Sequence, residues 1–269
     1  MTKFKRKAKI IGTYTSLRKK RFLLLLYSII FIILFSSSIS AEVYTSISKK
    51  QSILKNFVIC IDPGHQKKAN NATEPVAPNS TIRKAKTSSG TSGIFTGIPE
   101  YSLNLQVALM LKSELEALGA KIIMTRTKND VDISNIERAE IANKTKANLF
   151  IRIHADGSAN NKINGISVLI PGDKYIKNKK LLSESKKAGQ DILNSVISST
   201  KANSRGLSIR NDLTGFNWSK VPVVLIEMGF MTNKEEDIKL SQKEYRQKLV
   251  NGMVQGIIKY SISQTKKET

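Results

Sequence analysis

Cysteine occurs once in 269 residues, at Cys60, which excludes an intramolecular disulfide framework and any zinc cluster built from thiolates. Histidine occurs only twice, at His65 and His154, so a three-histidine metal site is excluded as well. Aromatic residues make up just 6% of the chain and are not interleaved with the basic ones, so stacking platforms for nucleic-acid bases are scarce. Acidic residues are also few: 21 Asp and Glu against 44 Lys and Arg leave a formal charge of +23. What is present in quantity is apolar, and a 40% hydrophobic content excludes a wholly disordered chain. The length suits one domain of about 200 residues with accessory segments. The excess charge suggests an anionic partner, nucleic acid first, and its location decides between candidates.

Residues 1–21 hold nine Lys and Arg and no acid. The apolar run FLLLLYSIIFIILF, Phe22 to Phe35, follows directly and fades through SSSIS before Ala41. Such a basic flank stays on the cytoplasmic side while the apolar run enters the bilayer, so the rest of the chain is expected to be exported. Residues 22–40 are expected to be a single-pass transmembrane anchor or a signal h-region cleaved near Ser40. Without the first nine cations the remainder carries +14, spread along the chain with a cluster at Lys174, Lys177, Lys179, Lys180, Lys186 and Lys187. An exported domain does not meet nucleic acid; this charge reads either as a solvated surface or as attraction to anionic wall polymers.

Residues 41–56 read as a linker, 57–262 as the folded domain and 263–269 as a polar tail. Phe57 to Ile61 is a short apolar run that enters the turn Asp62-Pro63-Gly64-His65. Residues 66–99 lack periodicity and read as a long loop, functional or disordered. Glu100 to Leu118 is a helix with Leu103, Val107, Leu111, Leu115 and Leu118 on one face. Strands follow at Lys121–Thr125, Leu149–Ile153, Gly165–Ile170 and Val221–Ile226, and helices at Ile136–Asn143, Leu181–Ile197 and Tyr245–Tyr260. The alternation predicts an α/β fold: a twisted, largely parallel sheet flanked by helices on both faces.

His65, His154 and Glu227 each stand just after an apolar strand. In open α/β sheets the carboxyl ends of parallel strands form the crevice where ligands bind, so these side chains are expected to converge there. Catalytic zinc takes three N/O ligands and keeps one position open, and two histidines with one carboxylate make such a set. A second carboxylate is then free to act as base. Glu100, at the start of its helix, is a candidate for either part. Its alternative is a first-turn acid interacting with the helix dipole, worth about 0.3–1 kcal/mol. Spacing leaves open which glutamate binds metal.

The segments IDPGH (61–65), GIPEYSLNL (97–105), Thr125-Arg126, Arg138 with Ala142-Asn143, FIRIHADGS (150–158), Arg205-Gly206-Leu207 and VPVVLIEMGFMTN (221–233) occur in this order. Together they resemble the zinc-dependent N-acetylmuramoyl-L-alanine amidases of the amidase-3 group, in a Firmicute-like form, over about Phe57 to Tyr260. The resemblance implies zinc ligands His65, Glu100 and His154 and a catalytic acid/base Glu227. It implies a peptidoglycan substrate, cleaved at the amide between the lactyl group of N-acetylmuramic acid and L-alanine. The location implied is the cell envelope, outside the cytoplasm. Arg126, Arg138 and Arg205 match the family pattern and are expected to serve structural contacts rather than catalysis. Gln66 and the long basic segment after it depart from the short glycine-containing loop common in the family, and that bears on the shape of the substrate groove. The alternative function is a non-catalytic wall-binding or regulatory module on the same fold. No activator protein is identifiable from the sequence.

Overall fold

The computed structural model describes residues 53–268. The basic segment 1–21, the apolar segment 22–40 and most of the linker 41–56 lie outside the described residues. No helix among the described residues is long and apolar enough to cross a membrane.

Six strands form the main sheet: β1 (Val58–Pro63), β4 (Lys121–Met124), β5 (Leu149–Asp156), β6 (Ile166–Pro171), β7 (Ser204–Arg210) and β8 (Val223–Phe230). Their order is β4-β1-β5-β8-β6-β7. The first four are mutually parallel; β6 runs antiparallel to β8 and parallel to β7. Strands β2 (Asn70–Pro75) and β3 (Arg83–Thr87) pair as a separate antiparallel hairpin within the stretch read above as a loop.

Helices α1 (Glu100–Ala117), α3 (Lys179–Thr200) and α6 (Lys243–Glu268) cover one face, and α2 (Asn135–Lys144) and the short α4 (Thr214–Asn217) the other. Helix α5 (Lys234–Ser241) follows β8. The central strands β1, β5 and β8 are largely apolar because alternate residues feed both cores. Ile59 and Ile61, Leu149, Ile151 and Ile153, and Val224, Ile226 and Met228 pack under α1, α3 and α6. Cys60, Phe150, Val223 and Leu225 pack under α2 and α4 with Phe216. Helices α3 and α6 approach closely because Gly252 and Gly256 lie against the backbone of Val196 and Ile192, where a Cβ would have no room.

The same alternation places the chemistry. Continuing from Cys60, Phe150 and Leu225 along the α2 face, the next residues on that face are Asp62, Arg152, His154 and Glu227. The apolar core of one face thus gives way to charge toward the carboxyl ends of three adjacent parallel strands.

Candidate active site

At the root of the site is a buried ion cluster. The Asp62 carboxylate, fully buried, accepts from Arg138 Nη1 (2.7 Å) and Thr125 Oγ1 (2.5 Å) through Oδ1, and from Arg152 Nε (2.8 Å) through Oδ2. Burial alone would raise this carboxyl; the Arg138 and Arg152 charges and the hydrogen bonds outweigh it and hold it far below the usual carboxylate range. The guanidiniums then reach the turn beyond β1. Arg126 donates to the carbonyls of Pro63 (2.9 Å) and Gly64 (3.0 Å), and Arg138 to those of Pro63 (2.9 Å) and His65 (3.1 Å). Burial and the neighbouring Arg138 bring Arg126 down to about 10. His65 sits in the left-handed region at φ 62°, a conformation costing a non-glycine residue about 1–2 kcal/mol. Charge-assisted hydrogen bonds of about 1.5–3 kcal/mol each are sufficient to hold it there. Arg126 and Arg138 thus take the structural parts expected of them, and Arg205 stacks over the Phe230 ring at 5.2 Å.

His154 and Glu227 lie within β5 and β8 rather than after them, and they are register partners. Parallel partners present their side chains on the same face, with strands about 4.8 Å apart. Glu100 opens α1 behind an extended Pro99, only 3% exposed, so it is far from a solvated first-turn acid. Its Oε1 lies 3.0 Å from His65 Nε2 and 3.3 Å from His154 Nδ1, and those two nitrogens are 3.1 Å apart. Three atoms bearing lone pairs therefore face one another in a near-equilateral triangle.

The flanking bonds orient each donor. His65 Nδ1 faces the Ser88 carbonyl (3.1 Å) and hydroxyl (2.9 Å); a proton donated there leaves the Nε2 lone pair free. Glu100 Oε2 accepts from the Thr91 N–H (3.0 Å), and Oε1 from Asn104 Nδ2 (3.1 Å) and the Ala155 N–H (3.2 Å). The His154 ring packs against Gly64, where a Cβ would run into the imidazole. Burial lowers His154 to about 4, with help from the charges of His65 and Arg152 and against its bond to Glu100, so the ring is neutral at pH 7. Burial would raise the Glu100 carboxyl, but its close contacts with His154 and His65 outweigh this and hold it below the usual range, ionised.

Glu227 differs from the other three. Burial, then the negative charges of Glu100 and Asp156, push its carboxyl well above the usual range, against Arg210 and Arg152. Its Oε2 is buried without a hydrogen-bond partner among the described residues, as is His154 Nε2. All four residues line one open cleft of about 460 Å³, together with Thr91, Thr232 and the 156–159 turn.

A family model described as N-acetylmuramoyl-L-alanine amidase matches residues 59–259, a span that holds all four residues. The chain belongs to the N-acetylmuramoyl-L-alanine amidase family. An amidase of this name from Mycobacterium tuberculosis is 29% identical over 232 residues, covering 84% of this chain and 95% of that one. The crystal structure of the amidase Ami1 from Mycobacterium smegmatis superposes with a TM-score of 0.70 at 27% identity, over 78% of this chain and 99% of that one. The amidase from Clostridium difficile gives 0.63 at 28% identity, over 77% and 97%. The expected α/β fold and the expected activity both stand: this amidase hydrolyses the bond between N-acetylmuramic acid and L-alanine in peptidoglycan, and acts outside the cytoplasm.

Several residues of the amidase site have roles that no spacing in the sequence reveals. Asp62 and Asn104 stand within IDPGH and GIPEYSLNL and Ser88 and Thr91 outside any such segment, yet the part each plays in holding the histidines and Glu100 emerges only from the fold. One signal was available: Arg152 interrupts the apolar strand LFIRIHAD, and a buried cation requires a buried anion.

Proposed function

We propose that His65, Glu100 and His154 hold a zinc ion and that Glu227 is the acid/base of amide hydrolysis. The observation that carries this reading is the donor triangle with edges of 3.0, 3.1 and 3.3 Å. Ligand atoms about 3.3 Å apart are what a tetrahedral ion with bonds of about 2.0–2.1 Å requires. The donor chemistry agrees: two neutral imidazole nitrogens and an ionised carboxylate suit zinc, and face-to-face lone pairs repel without a cation between them.

Bound there, zinc would polarise the scissile carbonyl and lower the pKa of a coordinated water to about 7. Glu227 lies in the cleft outside the triangle, buried and with one carboxylate oxygen unpartnered among the described residues. Its raised affinity for a proton suits a group that takes one from the attacking water and returns it to the departing alanine nitrogen. The carbonyl carbon gains the hydroxyl to become the lactyl carboxylate, and the stem leaves with a free N-terminal amine. Glu100 contributes the negative charge of the ligand set, and Ser88 and Thr91 fix the donors in place.

The apolar segment 22–40 is read as the membrane anchor or export signal. The six lysines from Lys174 to Lys187, all exposed, are read as the face that meets anionic wall polymers. The chemical test is Glu227→Ala. The variant should retain zinc and lose release of peptide stems from purified wall; retained activity would remove Glu227 from its role.

A further inference from the structure

The strap from Gly90 to Pro99 is closed on itself and pinned from below. Ser92 bridges to Pro99, the Gly93 N–H donates to Ile98 O (3.0 Å), and the Glu100 N–H to Thr91 O (2.9 Å). At its apex the carboxylate of Asp237, 1% exposed, accepts from the N–H groups of Phe95 (2.8 Å) and Thr96 (2.9 Å) and from the Thr96 hydroxyl (2.6 Å). Gly93 lies so close to this carboxylate that a Cβ there would collide with it.

This clamp holds apolar side chains outward. Ile94 is 52% exposed and Phe95 56%; on α5, which holds the strap through Asp237 and Lys234, Ile238 is 39% exposed. Among residues 53–265, Phe95 is the one aromatic side chain in the exposed class. The Lys234 ammonium stands 4.6 Å from the ring centroid, which steadies the ring while most of it stays open. Apolar surface held rigid in water adds nothing to the fold, and preorganisation of this kind favours a ligand.

The strap that carries Ile94 and Phe95 starts in the catalytic cleft. Gly90 and Thr91, at the foot of the strap, line the cleft, as does Thr232 two residues before α5. Thr91 and Phe95 are separated by at most about 14 Å of chain. The scissile amide hangs from a sugar that is linked to further sugars, so a substrate seated in the cleft carries its neighbours across the rim. A pyranose ring offers a face of C–H groups, and an N-acetyl group adds a methyl; both suit an aromatic ring with aliphatic flanks.

We propose that Phe95, with Ile94 and Ile238, is a glycan subsite in which the Phe95 ring stacks on an N-acetylated sugar neighbouring the one that bears the scissile amide. The proposal rests on the amidase reading of the cleft. Two measurements separate it from catalysis. One is calorimetric binding of a β-1,4-linked N-acetylglucosamine tetramer, which has no lactyl–alanine amide to cleave. The other is KM for stem release from soluble glycan strands compared with KM for a single-sugar muramyl peptide. Phe95→Ala is expected to weaken tetramer binding about tenfold and to raise the glycan-strand KM equally. The kcat, zinc content and single-sugar KM stay unchanged, and Phe95→Trp restores both affected values. Equal KM changes on the two substrates, or tetramer binding insensitive to Phe95, would overturn the subsite. Failure of the catalytic reading looks different: the wild type would bind the tetramer through Phe95 and release no N-terminal alanine from either substrate.

Discussion

Replacing Asp62 with Asn tests how the site is held. Asp62 is fully buried and supplies the carboxylate facing two guanidiniums, one of which, Arg138, is only 1% exposed. Asn keeps the shape but not the charge. If its oxygen stays with Arg138 and Thr125, its NH₂ group faces Arg152 Nε, and two donors meet where a charge-assisted bond stood. Breaking one partner of a buried ion pair costs about 3–5 kcal/mol. With a urea m-value of about 2–3 kcal/mol/M, the unfolding midpoint of the zinc-free protein should fall by about 1–2.5 M. The pH dependence gives a second check. The folded-state pKa of Asp62 is depressed, so its contribution is complete above the unfolded value of about 3.9 and fades as pH falls through the folded value. The gap between wild type and variant should therefore be full at pH 7 and smaller at pH 3. Urea titrations followed by circular dichroism at both pH values measure it. A loss below about 1 kcal/mol at pH 7, or a gap that widens in acid, would refute the reasoning.

Other perturbations address single contacts. Gly64→Ala puts a methyl into the His154 imidazole, so zinc affinity in a chelator competition should fall at least about tenfold while the circular dichroism spectrum is retained. Unchanged affinity would mean that the ring has another resting place. In zinc-free protein, His154 titrates near pH 4 when folded and near 6.5 when unfolded, so the unfolded chain takes up the proton first. Stability should accordingly decline as pH falls from 6.5 towards 4, by up to about 3 kcal/mol, and His154→Asn should flatten that slope in urea titrations. Asp237→Ala removes three hydrogen bonds from the strap; the expected loss is about 1–3 kcal/mol, with weakened zinc binding because the strap carries Thr91 and leads into Glu100. Unaltered zinc affinity would show that Glu100 is positioned by α1 alone.

The parts of this fold that were legible in the sequence are those that apolar burial dictates. Strands β1, β5 and β8 read as continuous hydrophobic runs because both faces are covered, and their ends pointed to His65, His154 and Glu227. The hairpin β2–β3 escaped because its stability does not come from an apolar face. Its residues are mostly exposed, and it is tied down by polar contacts that have no periodicity: Trp218 Nε1 to Pro75 O, Asn217 Nδ2 to Val76 O, and Asn135 Nδ2 to Lys86 O. The edge strand β7 escaped for a related reason, since SRGLSIR carries charge and serine among its few apolar residues. Helix α5 was hidden because its binding face is acidic, with Glu236 and Asp237 buried by backbone donors rather than by hydrocarbon. Spacing could not choose between Glu100 and Glu227 as the metal-binding carboxylate. That distinction depends on tertiary distances: Glu100 closes the triangle with both histidines, while Glu227 lies beside it with an unpartnered oxygen.

The central claim, zinc held by His65, Glu100 and His154 in an amidase, is tested most directly by metal analysis and product mass spectrometry on one purified sample. The expected result is one zinc per chain, with digested peptidoglycan yielding peptides that begin at a free L-alanine amine and glycan that carries a free lactyl carboxylate. Full activity in zinc-free protein, or products cut at any other bond, would contradict it.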